Sequence, residues 1–229
     1  MNLKLFLMLI GVISLLFAGG PYLIVFDSSG SMSDYVKDLN ATKIEVAKKA
    51  ANHFIDRSSG EIGLIEFSDC DKEGDIYSGG ITLVQDFTTN KEELKNKINA
   101  LKPKSDTPIA DALSEASKYL KKSRGHGTII LITDGEETCG GDPVNIAESI
   151  YNEKIGTVHV IGYRISGKAE SKAKAIAEAG GGKYYPVENA DELESALTEI
   201  TTGGFSCCPS TILLLALPLF IMIAGRHLN

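Results

Sequence analysis

Five oxygen-bearing side chains stand where apolar runs end or a helix begins: Asp27, Ser29, Ser31, Thr107 and Asp134. The run Leu23-Ile24-Val25-Phe26 stops abruptly at Asp27-Ser28-Ser29-Gly30-Ser31, which presents one carboxylate and two hydroxyls at alternate positions. No bulky side chain interrupts this stretch, so the loop can wrap a small ion. Thr107 opens a predicted helix in Ser105-Asp106-Thr107-Pro108-Ile109-Ala110. Asp134 ends the apolar run Thr128-Ile129-Ile130-Leu131-Ile132-Thr133, ahead of Gly135. All-oxygen ligands select a hard cation, Mg2+, Ca2+ or Mn2+, over zinc or copper. Capping a loop or a helix would explain Asp27 or Thr107 singly. It is a poor account of all five together.

Strand and helix signals alternate around these residues. Strands are predicted at 22–26, 62–67, 81–87, 128–133, 158–162 and 183–187, and helices at 42–57, 91–101, 107–121, 143–153, 168–179 and 191–200. In the first helix Ile44, Ala47, Ala51, Phe54 and Ile55 recur at helical spacing. The run 128–133 is apolar enough for a central strand covered on both faces. Helix 168–179 is expected to stop at Gly180-Gly181-Gly182. The alternation predicts an α/β fold: a doubly wound, Rossmann-like, mostly parallel sheet of about six strands with helices on both faces. Ligands of such sheets sit beyond the carboxyl ends of the strands. Asp27 and Asp134 both fall there.

Taken with their order and setting, the five residues resemble the metal-ion-dependent adhesion site of the von Willebrand factor type A domain. Asp27, Ser29 and Ser31 match its Asp-x-Ser-x-Ser motif, Thr107 the threonine of its second loop, and Asp134 the aspartate of its third. The resemblance spans roughly residues 21–202. It implies that Ser29, Ser31 and Thr107 coordinate through side-chain oxygens, and that Asp27 and Asp134 act directly or through water. It further implies that a protein partner supplies a Glu or Asp carboxylate to the metal. Related bacterial and archaeal domains often carry the segment Asp134-Gly-Glu-Glu-Thr-Cys-Gly-Gly-Asp-Pro143, which hints at a bridged loop. Cys70 and Cys139 each follow a strand that ends on the metal face, and pairing them suits an exported protein.

The chain has 229 residues, 43% of them hydrophobic, and a net charge of −7. Its length suits one domain plus accessory segments. Its lysines are spread among glutamates, which argues against a nucleic-acid surface. Residues 1–19 read as a signal peptide: Lys4, an apolar run from Leu5 to Phe17, then small residues. An uncleaved anchor is the rival reading. Residues 20–202 form the expected domain. Residues 203–229 read as a short linker and a transmembrane or sorting tail, since Thr211 to Gly225 is apolar, has no polar face and ends at Arg226. The expected protein is exported and held at the membrane, with its domain on the extracytoplasmic side.

A catalytic role is not expected. Phosphoryl-transfer enzymes with an aspartate after the first strand usually place a second acid two residues on, and here that position is Ser29. His53, His126, His159 and His227 are scattered. The cluster Ser68-Asp69-Cys70-Asp71-Lys72-Glu73-Gly74-Asp75 imitates the start of a calcium loop, but Gly80 stands where a bidentate Glu is needed. It reads as a solvated surface loop. Cys207-Cys208 beside the tail suits lipidation, intermolecular bridging or plain packing equally. Two other roles fit the whole: a permanent scaffold subunit of a membrane complex, and, less well, a metal-dependent phosphoryl hydrolase.

Overall fold

The computed structural model of the protein describes residues 20–70 and 80–202. The expected signal peptide, the tail with Cys207-Cys208 and His227, and the acids of 71–75 lie outside the described residues. Among the described residues no helix is long and apolar enough to cross a membrane.

The strands are β1 (Tyr22–Asp27), β2 (Tyr35–Val36), β3 (Ala41–Thr42), β4 (Ile62–Phe67), β5 (Ile81–Thr88), β6 (Gly127–Thr133), β7 (Gly156–Tyr163) and β8 (Gly181–Val187). The helices are α1 (Lys43–Arg57), α2 (Lys91–Ala100), α3 (Ile109–Ser123), α4 (Pro143–Asn152), α5 (Gly167–Ala179) and α6 (Ala190–Thr202). A six-stranded sheet runs in the order β5-β4-β1-β6-β7-β8, and β2 and β3 form a separate small hairpin. The sheet is parallel except at β5, which runs antiparallel to β4.

Every residue of β1 and β4 is buried, as strands covered on both faces must be. Alternate residues of β1 serve opposite layers. Tyr22, Ile24 and Phe26 pack with α1, α2 and α6 residues such as Phe54, Ile98 and Leu197. Leu23 and Val25 pack with α3, α4 and α5 residues such as Leu113, Ile150 and Ile176. The chain leaves β1 toward β4 on one side and later returns to β6 on the other. The strand order therefore reverses between β1 and β6, which opens a crevice at their carboxyl ends.

Two boundaries differ from the sequence reading. Thr107 does not open α3, which begins at Ile109 with Pro108 at its cap. A residue before proline is pushed out of the α region, so Thr107 stays in the loop. The helix α5 ends at Ala179 with Gly180 as its cap, as expected, but β8 begins at Gly181, two residues before the expected 183. A Cβ on Gly182 would lie 2.2 Å from the Val158 carbonyl oxygen, so this edge of the sheet closes only around glycine.

Candidate metal centre

The crevice between β1 and β6 holds the candidate residues. Asp27 is the last residue of β1, and Asp134 follows the last residue of β6. Phe26 is in register with Ile132. That register sets Thr133 beside Asp27, and its hydroxyl donates to Asp27 Oδ2 at 2.6 Å. The other Asp27 oxygen, Oδ1, accepts from the Ser29 amide at 2.8 Å. Ser31 and Ser29 face each other, with their Oγ atoms 3.2 Å apart. Ser31 also donates to Asp134 Oδ1 at 2.7 Å. Asp27, Ser29, Thr107 and Asp134 are buried, while Ser31 is half-buried. The cluster is closed at its base and opens at Ser31.

Thr107 reaches the cluster through loop contacts. The Ser68 carbonyl accepts from the amides of Ser105 and Asp106, both at 3.0 Å, and the Ser105 carbonyl accepts from Gly30 N at 3.1 Å. On the other side the Thr138 hydroxyl accepts from the Thr107 amide at 2.8 Å. The Glu137 carboxylate accepts from Ala110 N, at the start of α3, and from Cys139 N. A Cβ placed on Gly135 would lie 3.8 Å from Ser31 Oγ and 4.0 Å from Thr107 Oγ1, so both hydroxyls border the same space. Cys70 and Cys139 are bridged, with Cα atoms 5.4 Å apart. The bridge ties the segment after β4 to the segment after β6.

These residues fit a hard divalent ion. Two ligands at right angles lie about 3.0 Å apart on a cation with bonds of about 2.1 Å, and about 3.4 Å apart with bonds of about 2.4 Å. The 3.2 Å between the two serine hydroxyls falls inside that range. Among the described residues no group of three or more His, Cys, Asp or Glu is placed to hold a metal. A cation site here must therefore lean on hydroxyls, as this cluster does.

Residues 22–137 match the von Willebrand factor type A domain. The chain belongs to that family. It is 33% identical to the uncharacterized protein YwmC of Bacillus subtilis over 189 residues, which cover 77% of this chain and 80% of YwmC. It is 34% identical to YwmD of the same organism, covering 76% of this chain and 81% of YwmD. Among solved structures, BatB from Bacteroides thetaiotaomicron superposes with a TM-score of 0.64 at 24% identity, covering 82% of this chain and all of that one. The von Willebrand factor domain of the type V pili tip protein Mfa5 from Porphyromonas gingivalis gives 0.63 at 14% identity, covering 82% and 96%. Proximal thread matrix protein 1 from the mussel byssus, whose metal-ion-dependent adhesion motif is occupied by zinc, gives 0.62 at 18% identity, covering 82% and 46%. These structures share the fold.

In this type A domain the Asp27 carboxyl is pushed up to about 6, chiefly by burial, against hydrogen bonds from Ser29 and Thr133 that pull it down. Lys43, the first residue of α1, donates to Asp134 Oδ2 at 2.8 Å and to Asp34 Oδ2 at 3.2 Å. Burial acts to lower the ammonium of Lys43, but the Asp134 and Asp34 carboxylates outweigh it and the net direction is upward. The Ser28 hydroxyl donates to the buried Glu66 at 2.5 Å.

Sequence reasoning missed Lys43, Glu66, Thr133, Glu137 and Thr138. Glu66 could have been flagged as the lone acid in an otherwise apolar strand. Lys43 could have been flagged as a cation at a helix N-terminus, where the dipole disfavours it. Two of the described histidines are engaged away from the crevice: His53 pairs with Glu194 at 2.8 Å, and His159 accepts from Lys183 N at 3.1 Å.

Proposed function

We propose that this type A domain is a protein-docking module, exported and tethered at the membrane, that binds its partner through a divalent cation. Ser29, Ser31 and Thr107 would hold the ion through their hydroxyls, with Asp27 and Asp134 supplying charge directly or through water. Such an ion carries little donated charge from hydroxyl ligands, so it accepts one more anionic oxygen, a Glu or Asp of the partner. The observation that carries this reading is the convergence of three hydroxyls and two carboxylates at the strand-order reversal, open to solvent at Ser31. The pili tip protein among the structural neighbours accords with a surface interaction role. Mg2+ is the ion favoured by the oxygen donors, with Ca2+ or Mn2+ as substitutes. The zinc in the mussel neighbour makes zinc an ion to test alongside them.

We read the domain as binding rather than catalytic, because Ser29 stands where an acid would be needed to protonate a leaving group. Residues 1–19 and 203–229 are read as export signal and tether. The test is a pull-down from membrane extract with residues 20–202 under three conditions: Mg2+, EDTA, and Asp27→Ala with Ser29→Ala. A partner retained only by the wild type in Mg2+ supports docking through the ion. A partner retained under all three conditions overturns it in favour of a permanent scaffold role.

A further inference from the structure

The cluster contains a positive charge that ion docking does not call for. Lys43 Nζ lies 2.8 Å from Asp134 Oδ2, and the Asp134 side chain is fully buried. The Lys43 side chain is 16% exposed, so the pair is largely shielded from water. A lysine at the first position of a helix works against the helix dipole. Lys43 is held there by two carboxylates and by its own backbone, whose amide donates to the Asp34 carbonyl at 3.0 Å. Asp34 in turn follows the short 3-10 turn Gly30–Ser33, which carries Ser31. The lysine is thus built into the same loop that presents the serine hydroxyls.

We propose that Lys43 is a resident counter-cation of this site, which holds its divalent affinity down and keeps the loaded site from staying negative toward an anionic oxygen. This rests on the metal-docking reading above. Asp27, Asp134 and Asp34 contribute three negative charges and Lys43 one positive, so a divalent ion meets a net charge of minus two, one less than it would without Lys43. The loaded site is then neutral, one unit more positive than it would be without Lys43. Without Lys43 the loaded site would keep a net negative charge, and would have less to offer an acidic side chain. Like charges a few ångströms apart at low solvent exposure repel strongly enough to change affinity by roughly tenfold or more.

The test is isothermal titration of the full chain with MgCl2, for wild type, Lys43→Met, Lys43→Arg and Asp27→Asn. Lys43→Met is expected to bind Mg2+ at least tenfold tighter, and Lys43→Arg within about threefold of wild type. Were Lys43 only a structural prop, its loss would loosen the loop and weaken Mg2+ binding. Equal or weaker binding by Lys43→Met, with wild type binding and Asp27→Asn not, overturns the role of Lys43 while leaving the metal site standing. Absence of Mg2+ binding by wild type overturns both. If Lys43→Met does not fold, Lys43→Gln carries the same expectation with a polar head that can still accept and donate at Asp134.

Discussion

Removing the Cys70–Cys139 bridge, by Cys70→Ser with Cys139→Ser, should cost both stability and site geometry. The bridged residues are separated by 69 positions. In the chain-entropy treatment a closed loop of that length contributes about 4 kcal/mol, by limiting what the unfolded chain can explore. For a domain of this size each kcal/mol moves the melting midpoint by about 2–4 °C, so the double variant should melt roughly 8–16 °C lower. The loss should also reach the candidate metal centre. The bridge joins the segment carrying Ser68, whose carbonyl holds the Ser105 and Asp106 amides, to the segment carrying Glu137 and Thr138, which hold the start of α3 and Thr107. Thr107 is positioned from both sides, and the bridge is the covalent link between them. Calorimetric melting of residues 20–202 with and without reductant, beside the double variant, measures the first effect. Mg2+ titration of the same samples measures the second. Identical midpoints for oxidised and reduced protein would refute the entropy argument, and would mean that the unfolded chain already keeps these two segments close.

Thr133→Val keeps the side-chain shape but strips Asp27 Oδ2 of its donor at 2.6 Å; urea unfolding at pH 7 should show a loss of about 1–3 kcal/mol. Glu137→Ala frees the Ala110 and Cys139 amides, and should cost about 1 kcal/mol in the same assay while weakening Mg2+ binding by displacing Thr107. The pH dependence follows from Asp27, whose carboxyl sits at about 6 in the metal-free fold against 3.8 when unfolded. A raised carboxyl contributes stability while protonated, below about pH 4, and loses it as the pH rises through 6. The gap amounts to about 3 kcal/mol at roughly 1.4 kcal/mol per pH unit. Subtracting the stability of Asp27→Asn from that of wild type, both in EDTA, should therefore give a difference that falls between pH 4 and 7. A difference that rises would refute the burial argument for Asp27.

Much of the sheet was legible because a strand covered on both faces must be apolar throughout. The runs ending at Asp27 and Asp134 became β1 and β6, side by side at the centre. The reversed direction of β5 was less plain, although its cause lies in the chain. A parallel neighbour needs a crossover, usually a helix, and residues 68–80 offer acids and glycine instead of helical periodicity. The hairpin of β2 and β3 escaped notice because two-residue strands carry no periodic signal. A helix start at Thr107 would put Pro108 in the first turn, where proline is tolerated. Its steric effect on the preceding residue decides otherwise, and that keeps the Thr107 side chain on a loop where it can turn toward Ser31.

The site divides along the same line. Asp27 ends a strand and Ser29, Ser31 and Asp134 follow strand ends, so their place in the fold could be inferred from the apolar runs before them. Lys43, Glu66 and Thr133 act through contacts between elements, which spacing along the chain does not reveal. Each nevertheless breaks a local rule. Glu66 is an acid in a strand with no solvent face, and Lys43 is a cation at the positive end of a helix. Thr133 is a buried hydroxyl that ends the apolar run 129–132 of a central strand. A residue that is locally unfavourable must be compensated by something distant, and here the compensating group of each is in or beside one cluster: Ser28, Asp134 and Asp27. Local misfits in the chain thus point to the crevice independently of the Asp-x-Ser-x-Ser motif. They do so through desolvation, since a polar group that gives up water must find its partner inside the protein.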